Sequence, residues 1–268
     1  MKIKIGQFEF TECWDGTLYK KLSDYPNISE WEIQSILCFI DYETAYGRNY
    51  VIEAERSIIE KINSYKNKRQ YNQPVSVPKK IAECTACPKY KGCLTDFVCH
   101  TSPIENAVKI LDSGSLLSAV KARKLTAKEL AAESRNAAND PEDYFEYIMF
   151  AWGNCQAGDR LVMERKLKRF PNEKDLSDDF TPGVRFFFRY DNIMKHSNAV
   201  FDGVLPLKIK DEVALKDWVY AIIVPMYAKK EIEPHVSDDL KDRVHYLQND
   251  CEDIWKWSEK VYEYVTSL

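Results

Sequence analysis

Several features are scarce in this chain, and each absence narrows what it can be. No run approaches the roughly twenty apolar residues that a membrane-spanning helix needs. The charged, short opening Met1-Lys2-Ile3-Lys4 also lacks the apolar core of a secretory signal. Both readings place the protein in the cytoplasm with no membrane partner. Glycine numbers only 9 of 268 residues, and no Gly-rich fingerprint of the Rossmann or P-loop type is present. Repeats and low-complexity tracts are missing too. A net charge of −4 gives no global attraction to nucleic acid, so a polynucleotide partner must be gripped by a local basic patch.

The remainder is that of a folded globular protein, with 45% hydrophobic and 13% aromatic residues, long enough for a large domain plus a module. The expected class is α+β: a split, mainly antiparallel sheet with flanking helices, an N-terminal mostly helical module and a Cys-rich loop. An alternating strand opens the chain over Ile3 to Phe10, reading as a half-buried sheet edge. Ser29 and Glu32 have capping-box spacing for a helix running to Gly47, and a further helix is predicted from Val51 to Tyr65. Residues 1–80 thus form the module and a basic linker, 81–236 a Cys-rich loop and core, and 237–268 a C-terminal amphipathic helix packed on that core. Leu240, Val244, Leu247, Cys251, Ile254, Val261 and Val265 recur at helical spacing, which extends that helix back to Leu240.

One basic patch exists. Between Lys66 and Lys91 stand Lys66, Lys68, Arg69, Lys79, Lys80, Lys89 and Lys91 against the single acid Glu83, with Tyr71 and Tyr90 interleaved. This is the candidate nucleic-acid contact, or a solvated linker. Beside it, four of the eight cysteines fall within Cys84-x2-Cys87-x5-Cys93-x5-Cys99. In a cytosolic chain such clustering argues for thiolate ligation of zinc or an iron-sulfur cluster, with reduced structural thiols as the alternative. His196, His235 and His245 are weak signals, and Cys155 is the one thiol in a polar turn.

The most informative stretch runs from Phe97 to Ser118. A buried strand ends in the polar trio His100-Thr101-Ser102. Ser102 and Glu105 have capping-box spacing, Pro103 fits the first helical position, and Gly114 fits a left-handed cap. Leu116-Leu117 is then expected to return beside the first strand, leaving His100, Thr101, Ser102 and Ser118 near one rim. Downstream strands are predicted at Tyr147–Trp152, Val184–Tyr190, Ala199–Phe201 and Trp218–Val224. A helix from Thr126 and Glu129 runs toward Asn139-Asp140-Pro141.

The strand bearing His100 and Thr101, the Asn106 in the first helical turn and the run Ile110-Leu111-Asp112-Ser113-Gly114-Ser115-Leu116-Leu117-Ser118 resemble the opening of an ADP-ribosyltransferase domain over roughly residues 95–236. Tyr147 to Arg160, Val184 to Asp191 and Phe201-Asp202-Gly203 echo the DNA-modifying ADP-ribosyltransferase toxins. The resemblance implies NAD as substrate, held by His100, Thr101, Ser102, Asn106 and Ser118, and transfer of ADP-ribose to a macromolecule, nucleic acid among the candidates. Such chemistry needs a cation for the pyrophosphate and a carboxylate for the oxocarbenium-like centre. Arg160 and Glu164, one helical turn apart after the polar turn Gly153–Asp159, are chosen for these roles; Arg123, Arg135 and Arg185 are other cations, and Glu212 and Asp202 other carboxylates. That turn is also expected to offer backbone donors to a phosphate. Where the family places an essential Glu at the start of the last core strand, this chain has Trp218-Val219-Tyr220-Ala221. The rival readings are a non-enzymatic, metal-stabilised nucleic-acid-binding regulator and an iron-sulfur or redox protein.

Overall fold

The computed structural model describes residues 2–8, 11–14, 17–45, 49–68, 97–133, 142–200, 206–250 and 253–268. In chain order these form β1 (Lys2–Gly6), β2 (Glu12–Trp14), β3 (Thr17–Lys21), α1 (Glu30–Ala45), β4 (Val51–Glu53), α2 (Arg56–Lys68), β5 (Phe97–Ser102), α3 (Ile104–Ser113), β6 (Ser115–Leu117), α4 (Ala119–Arg123) and α5 (Ala127–Glu133). There follow β7 (Tyr147–Trp152), α6 (Ala157–Leu167), α7 (Glu173–Leu176), β8 (Val184–Arg189), α8 (Tyr190–Ile193), β9 (Ala199–Val200), β10 (Leu207–Lys210) and β11 (Glu212–Ala214). The last elements are α9 (Leu215–Trp218), β12 (Ala221–Pro225), α10 (Lys229–Ile232), β13 (Val244–Leu247) and α11 (Ile254–Ser267). The class is α+β, with sheets flanked by helices. Among the described residues no helix is long and apolar enough to cross a membrane.

Two compact units interleave along the chain: Met1–Leu94 with Ser118–Tyr147 and Val200–Lys208, and Thr95–Leu117 with Ile148–Ala199 and Ile209–Leu268. In the first unit a four-stranded sheet of order β2-β3-β1-β4 accompanies α1 and α2. The alternation of β1 is as expected, with Ile3 and Ile5 buried, but the strand is internal, paired in parallel with both β3 and β4. At the start of α1, Glu32 Oε2 accepts from the Ser29 amide at 2.9 Å and its hydroxyl at 2.6 Å, while Oε1 accepts from the Ser23 amide at 2.8 Å. Burial works against this carboxylate's charge, and the four donors, the Ser23 hydroxyl included, still hold its pKa below the usual value. The helix expected from Val51 begins only at Arg56, because Val51–Glu53 pair with β1.

A seven-stranded sheet has the order β13-β12-β8-β5-β7-β10-β9, of which β5, β8, β12 and β13 lie wholly in the second unit. β5 runs antiparallel to β7 and β8, and β12 antiparallel to β8, while β13 lies parallel to β12. Val244–Leu247 therefore belong to a strand, and the C-terminal helix starts at Ile254, not Leu240. Helix α11 lays Trp257, Val261 and Val265 on the sheet against Phe97, Cys99, Phe187, Ala221 and Ile223. Five largely apolar positions over Val184–Phe188 are all buried, the pattern of a strand covered on both faces. Strand β6 pairs with β11 and does not return to β5.

Candidate functional site

Register and alternation fix what β5 offers. Pairing sets Cys99 opposite Phe187, His100 opposite Phe186, Thr101 opposite Arg185 and Ser102 opposite Val184. Successive side chains face opposite sides, so Cys99 and Thr101 turn toward α11 and α6, and His100 and Ser102 turn away from them. The trio expected to share one rim is split between two faces.

His100 is partly buried and its ring meets Phe150 edge-on at 6.1 Å between centroids. Its Nδ1 lies 3.0 Å from the Met149 carbonyl oxygen. A carbonyl only accepts, so Nδ1 carries the proton and Nε2 of the neutral ring is left as an acceptor. Burial pushes the pKa below its usual 6.5, Met149 opposes this, and the charge of Arg165 adds to it. The imidazole is therefore neutral near pH 7.

On the other face Asp159, in the first turn of α6, accepts the Gly183 amide at 3.0 Å on Oδ1 and Arg185 Nε at 2.7 Å on Oδ2. Arg185 Nη2 also donates to Asp159 Oδ2 and to Ser258 Oγ of α11. Both members of the ion pair are fully buried. Gly158 sits so close to β5 that an added Cβ would lie 2.3 Å from Thr101 Oγ1. Cys99 Sγ lies 3.7 Å from Thr101 Oγ1, and burial pushes its thiol up to about 12 despite Arg185.

The other expected site residues scatter. Ser102 is buried as the last rung of β5 and caps nothing, since Pro103 takes the N-cap position of α3 without a side-chain hydrogen bond. Gly114 does close α3 with a left-handed φ of 70°, which glycine tolerates without strain. Asn106 is partly buried in the first turn of α3, and its amide donates to Pro103 O at 3.1 Å. Ser118 belongs to the first unit, where it caps α4 by accepting from the Lys121 amide at 3.4 Å. Arg160 is exposed on α6, whereas Glu164 is buried. Glu212 accepts from Ser115 Oγ at 2.8 Å, across the β6–β11 pair. Ala221 opens β12, buried and without a carboxylate.

The polar turn is largely closed on itself: the Gly153 amide donates to Phe97 O at 2.9 Å, Cys155 N to Trp152 O at 2.9 Å and Ala157 N to Cys155 Sγ at 3.4 Å. These three amides are not open to a phosphate. Cys84, Cys87, Cys93 and Asp202 lie outside the described residues, as do Arg69, Lys79, Lys80, Lys89 and Lys91. Lys66 and Lys68 end α2, their ammonium groups 5.0 Å over Tyr50 and 5.9 Å over Tyr65. Among the described residues no three His, Cys, Asp or Glu side chains converge as metal ligands.

No family model, curated protein or solved structure matches this chain. The site is therefore read from its own chemistry. Sequence reasoning missed two things: the charge of Arg165 felt at His100, and the burial of Arg185, one of the cations offered to the pyrophosphate, against Asp159. A signal for the second was present: Arg185 interrupts an apolar strand, and a cation inside a buried run requires an anionic partner.

Proposed function

We propose that the second unit is an ADP-ribosyltransferase-like domain that holds NAD at the carboxyl end of β5, where a ligand can reach past the strand from His100 to α6, and directs its ADP-ribose to a macromolecule. The observation that carries this reading is the His100 ring itself: neutral, partly open, and locked by Met149 O in the tautomer whose Nε2 accepts. An acceptor nitrogen at the carboxyl end of a sheet strand suits a ribose hydroxyl, which must donate. Arg165 joins Arg160 as a candidate for the pyrophosphate, since both are exposed on α6 and the charge of Arg165 is felt at the ring. For the positive charge that develops as nicotinamide leaves, Glu164 on the same helix remains the assigned carboxylate.

Equilibrium dialysis with labelled NAD tests the reading, beside release of labelled nicotinamide. Loss of one hydrogen bond worth about 0.5–1.5 kcal/mol lowers affinity in His100→Ala up to roughly tenfold. Arg165→Ala should weaken binding as well, and Glu164→Gln should spare binding while lowering release. No detectable NAD binding, or equal affinity in wild type and His100→Ala, overturns the assignment.

A further inference from the structure

We propose that the outer face of α6 and the Phe170 turn after it form a docking surface for single-stranded nucleic acid, with phosphates on the cations and a base stacked on Phe170. Between Asp159 and Phe170 the chain carries Arg160, Arg165, Lys166, Lys168 and Arg169 against two acids, Asp159 and Glu164. Both acids are buried, while every one of those cations is exposed. The exposed charged side chains along this stretch are thus all cations, with Arg169 engaged by Asp175, although the whole chain is at −4. Phe170 stands among them at 70% exposure, the most open large apolar side chain of the described residues, with Leu161 at 47% on the same helix. Cations in a last helical turn are favoured by the backbone dipole, but the dipole gives no reason for an open aromatic ring beside them.

The ring is presented on a fixed turn. Arg169 Nη1 donates to Phe170 O at 3.0 Å and to Asp175 Oδ2 at 2.6 Å, and Nη2 donates to Oδ1 at 2.8 Å. Asn172 and Asp175 close a reciprocal cap around the start of α7. Little further ordering is needed on binding, which favours affinity. From Arg160 to Lys168, eight residues at 1.5 Å each span about 12 Å, the length of three to four stacked nucleotides at about 3.4 Å.

Magnitudes choose the occupant. Two apolar side chains at about 1.5–3 kcal/mol each fall short of the paired signals that stable membrane anchoring takes. An acidic peptide meets the cations and leaves the flat ring unused. Stacking on one aromatic ring contributes about 1–3 kcal/mol per base, whatever the sequence. The inference stands apart from the dinucleotide reading, since strand binding needs no NAD; Arg165 is left unchanged in the test.

Fluorescence anisotropy with a labelled single-stranded DNA of about 12 nucleotides, within the usual site-size range, tests it on the full chain without NAD. Neutralising about three phosphates makes binding about 20-fold weaker at 200 mM than at 50 mM salt. Phe170→Ala should weaken binding roughly 5- to 150-fold, and Lys168→Glu should weaken it and flatten the salt dependence. Both positions are exposed, so thermal unfolding midpoints should stay near wild type, Lys168→Glu giving up only the small benefit of a cation at the helix end. Absence of binding at 50 mM salt, or affinities unchanged in both variants, overturns the proposal. So does equal or tighter binding to phosphatidylserine vesicles or to polyglutamate.

Discussion

Replacing Asp159 by Asn removes one charge from the interior of the second unit and sets an NH2 donor where Oδ2 accepted from Arg185 Nε and Nη2. The amide oxygen keeps the Gly183 hydrogen bond, which is 3.0 Å long in the protein, and the side chain keeps its shape. What remains is Arg185, with no exposed surface, its charge no longer balanced, and its Nη1 already without a hydrogen-bond partner among the described residues. Breaking a buried pair from one side costs about 3–5 kcal/mol, a large part of the roughly 5–15 kcal/mol that holds a domain folded. At a urea slope of about 2 kcal/mol/M the unfolding midpoint of Asp159→Asn should fall by roughly 2 M. Arg185→Met strands the carboxylate and should cost a similar amount. The double variant D159N/R185M, having neither charge, should recover most of the loss, giving a coupling energy of about 3 kcal/mol or more between the two sites. Urea titrations of the four proteins, followed by tryptophan fluorescence, measure the cycle. If Asp159→Asn costs under about 1 kcal/mol, or if the two single losses simply add, the pair does not tie α6, β8 and α11 together as argued.

Three further outcomes are expected. Gly158→Ala drives a Cβ to 2.3 Å from Thr101 Oγ1 and 2.6 Å from its Cβ, so it should lower stability by about 1–3 kcal/mol; an unchanged melting curve would contradict the close approach of α6 to β5. The pKa of His100 is depressed in the folded chain relative to 6.5, so the unfolded chain binds the proton first as pH falls. Its stabilising contribution is then complete above pH 6.5 and is lost below it, down through the folded value. Because His196 and His245 are shifted the same way, the assignment comes from the difference with His100→Gln, whose stability should decline less between pH 6.5 and 5; parallel profiles would refute it. Cys99, with its thiol pushed up to about 12 inside the core, should resist iodoacetamide at pH 8 until urea unfolds the chain, and peptide mapping that finds it labelled in native protein would show the face to be open.

Signals that complete themselves within a few residues were legible in the sequence. Ser29 with Glu32 and Thr126 with Glu129 need only a neighbour three positions away, and both form as read, the second with the Thr126 amide 2.7 Å from Glu129 Oε2. Gly114 needs only its own freedom of φ. Ser102 carried the same spacing to Glu105 and did not cap, because its backbone continues the ladder opposite Val184 and its side chain is buried there. Apolar spacing over Leu240–Leu247 also suits a helix, but a parallel partner about twenty residues upstream turns Val244–Leu247 into a strand. That partner is not encoded locally. Leu116 found β11, nearly a hundred positions away, for the same reason.

The site was misread for a reason that lies in strand geometry. His100, Thr101 and Ser102 are adjacent in sequence, and a polar cluster at a strand end invites the picture of three groups converging on a ligand. A strand with period two cannot present three consecutive side chains to one side. Thr101 is committed to the α6 face, where its side chain fills the space above Gly158 and lies near the Cys99 thiol. Asp159 answers Arg185 on that same face. The polar groups there satisfy one another, and Trp257 and Val261 of α11 cover the layer. His100 is spared from this packing and differs from its neighbours in one chemical respect: a backbone carbonyl fixes its proton on Nδ1 and leaves Nε2 without that role. A ligand at this end of β5 must bring a donor to the ring and, to meet the exposed cations of α6, negative charge. Candidate substrates can therefore be sorted before any activity is known: those with a hydroxyl beside a phosphate satisfy both groups, and purely cationic or purely apolar ligands satisfy neither.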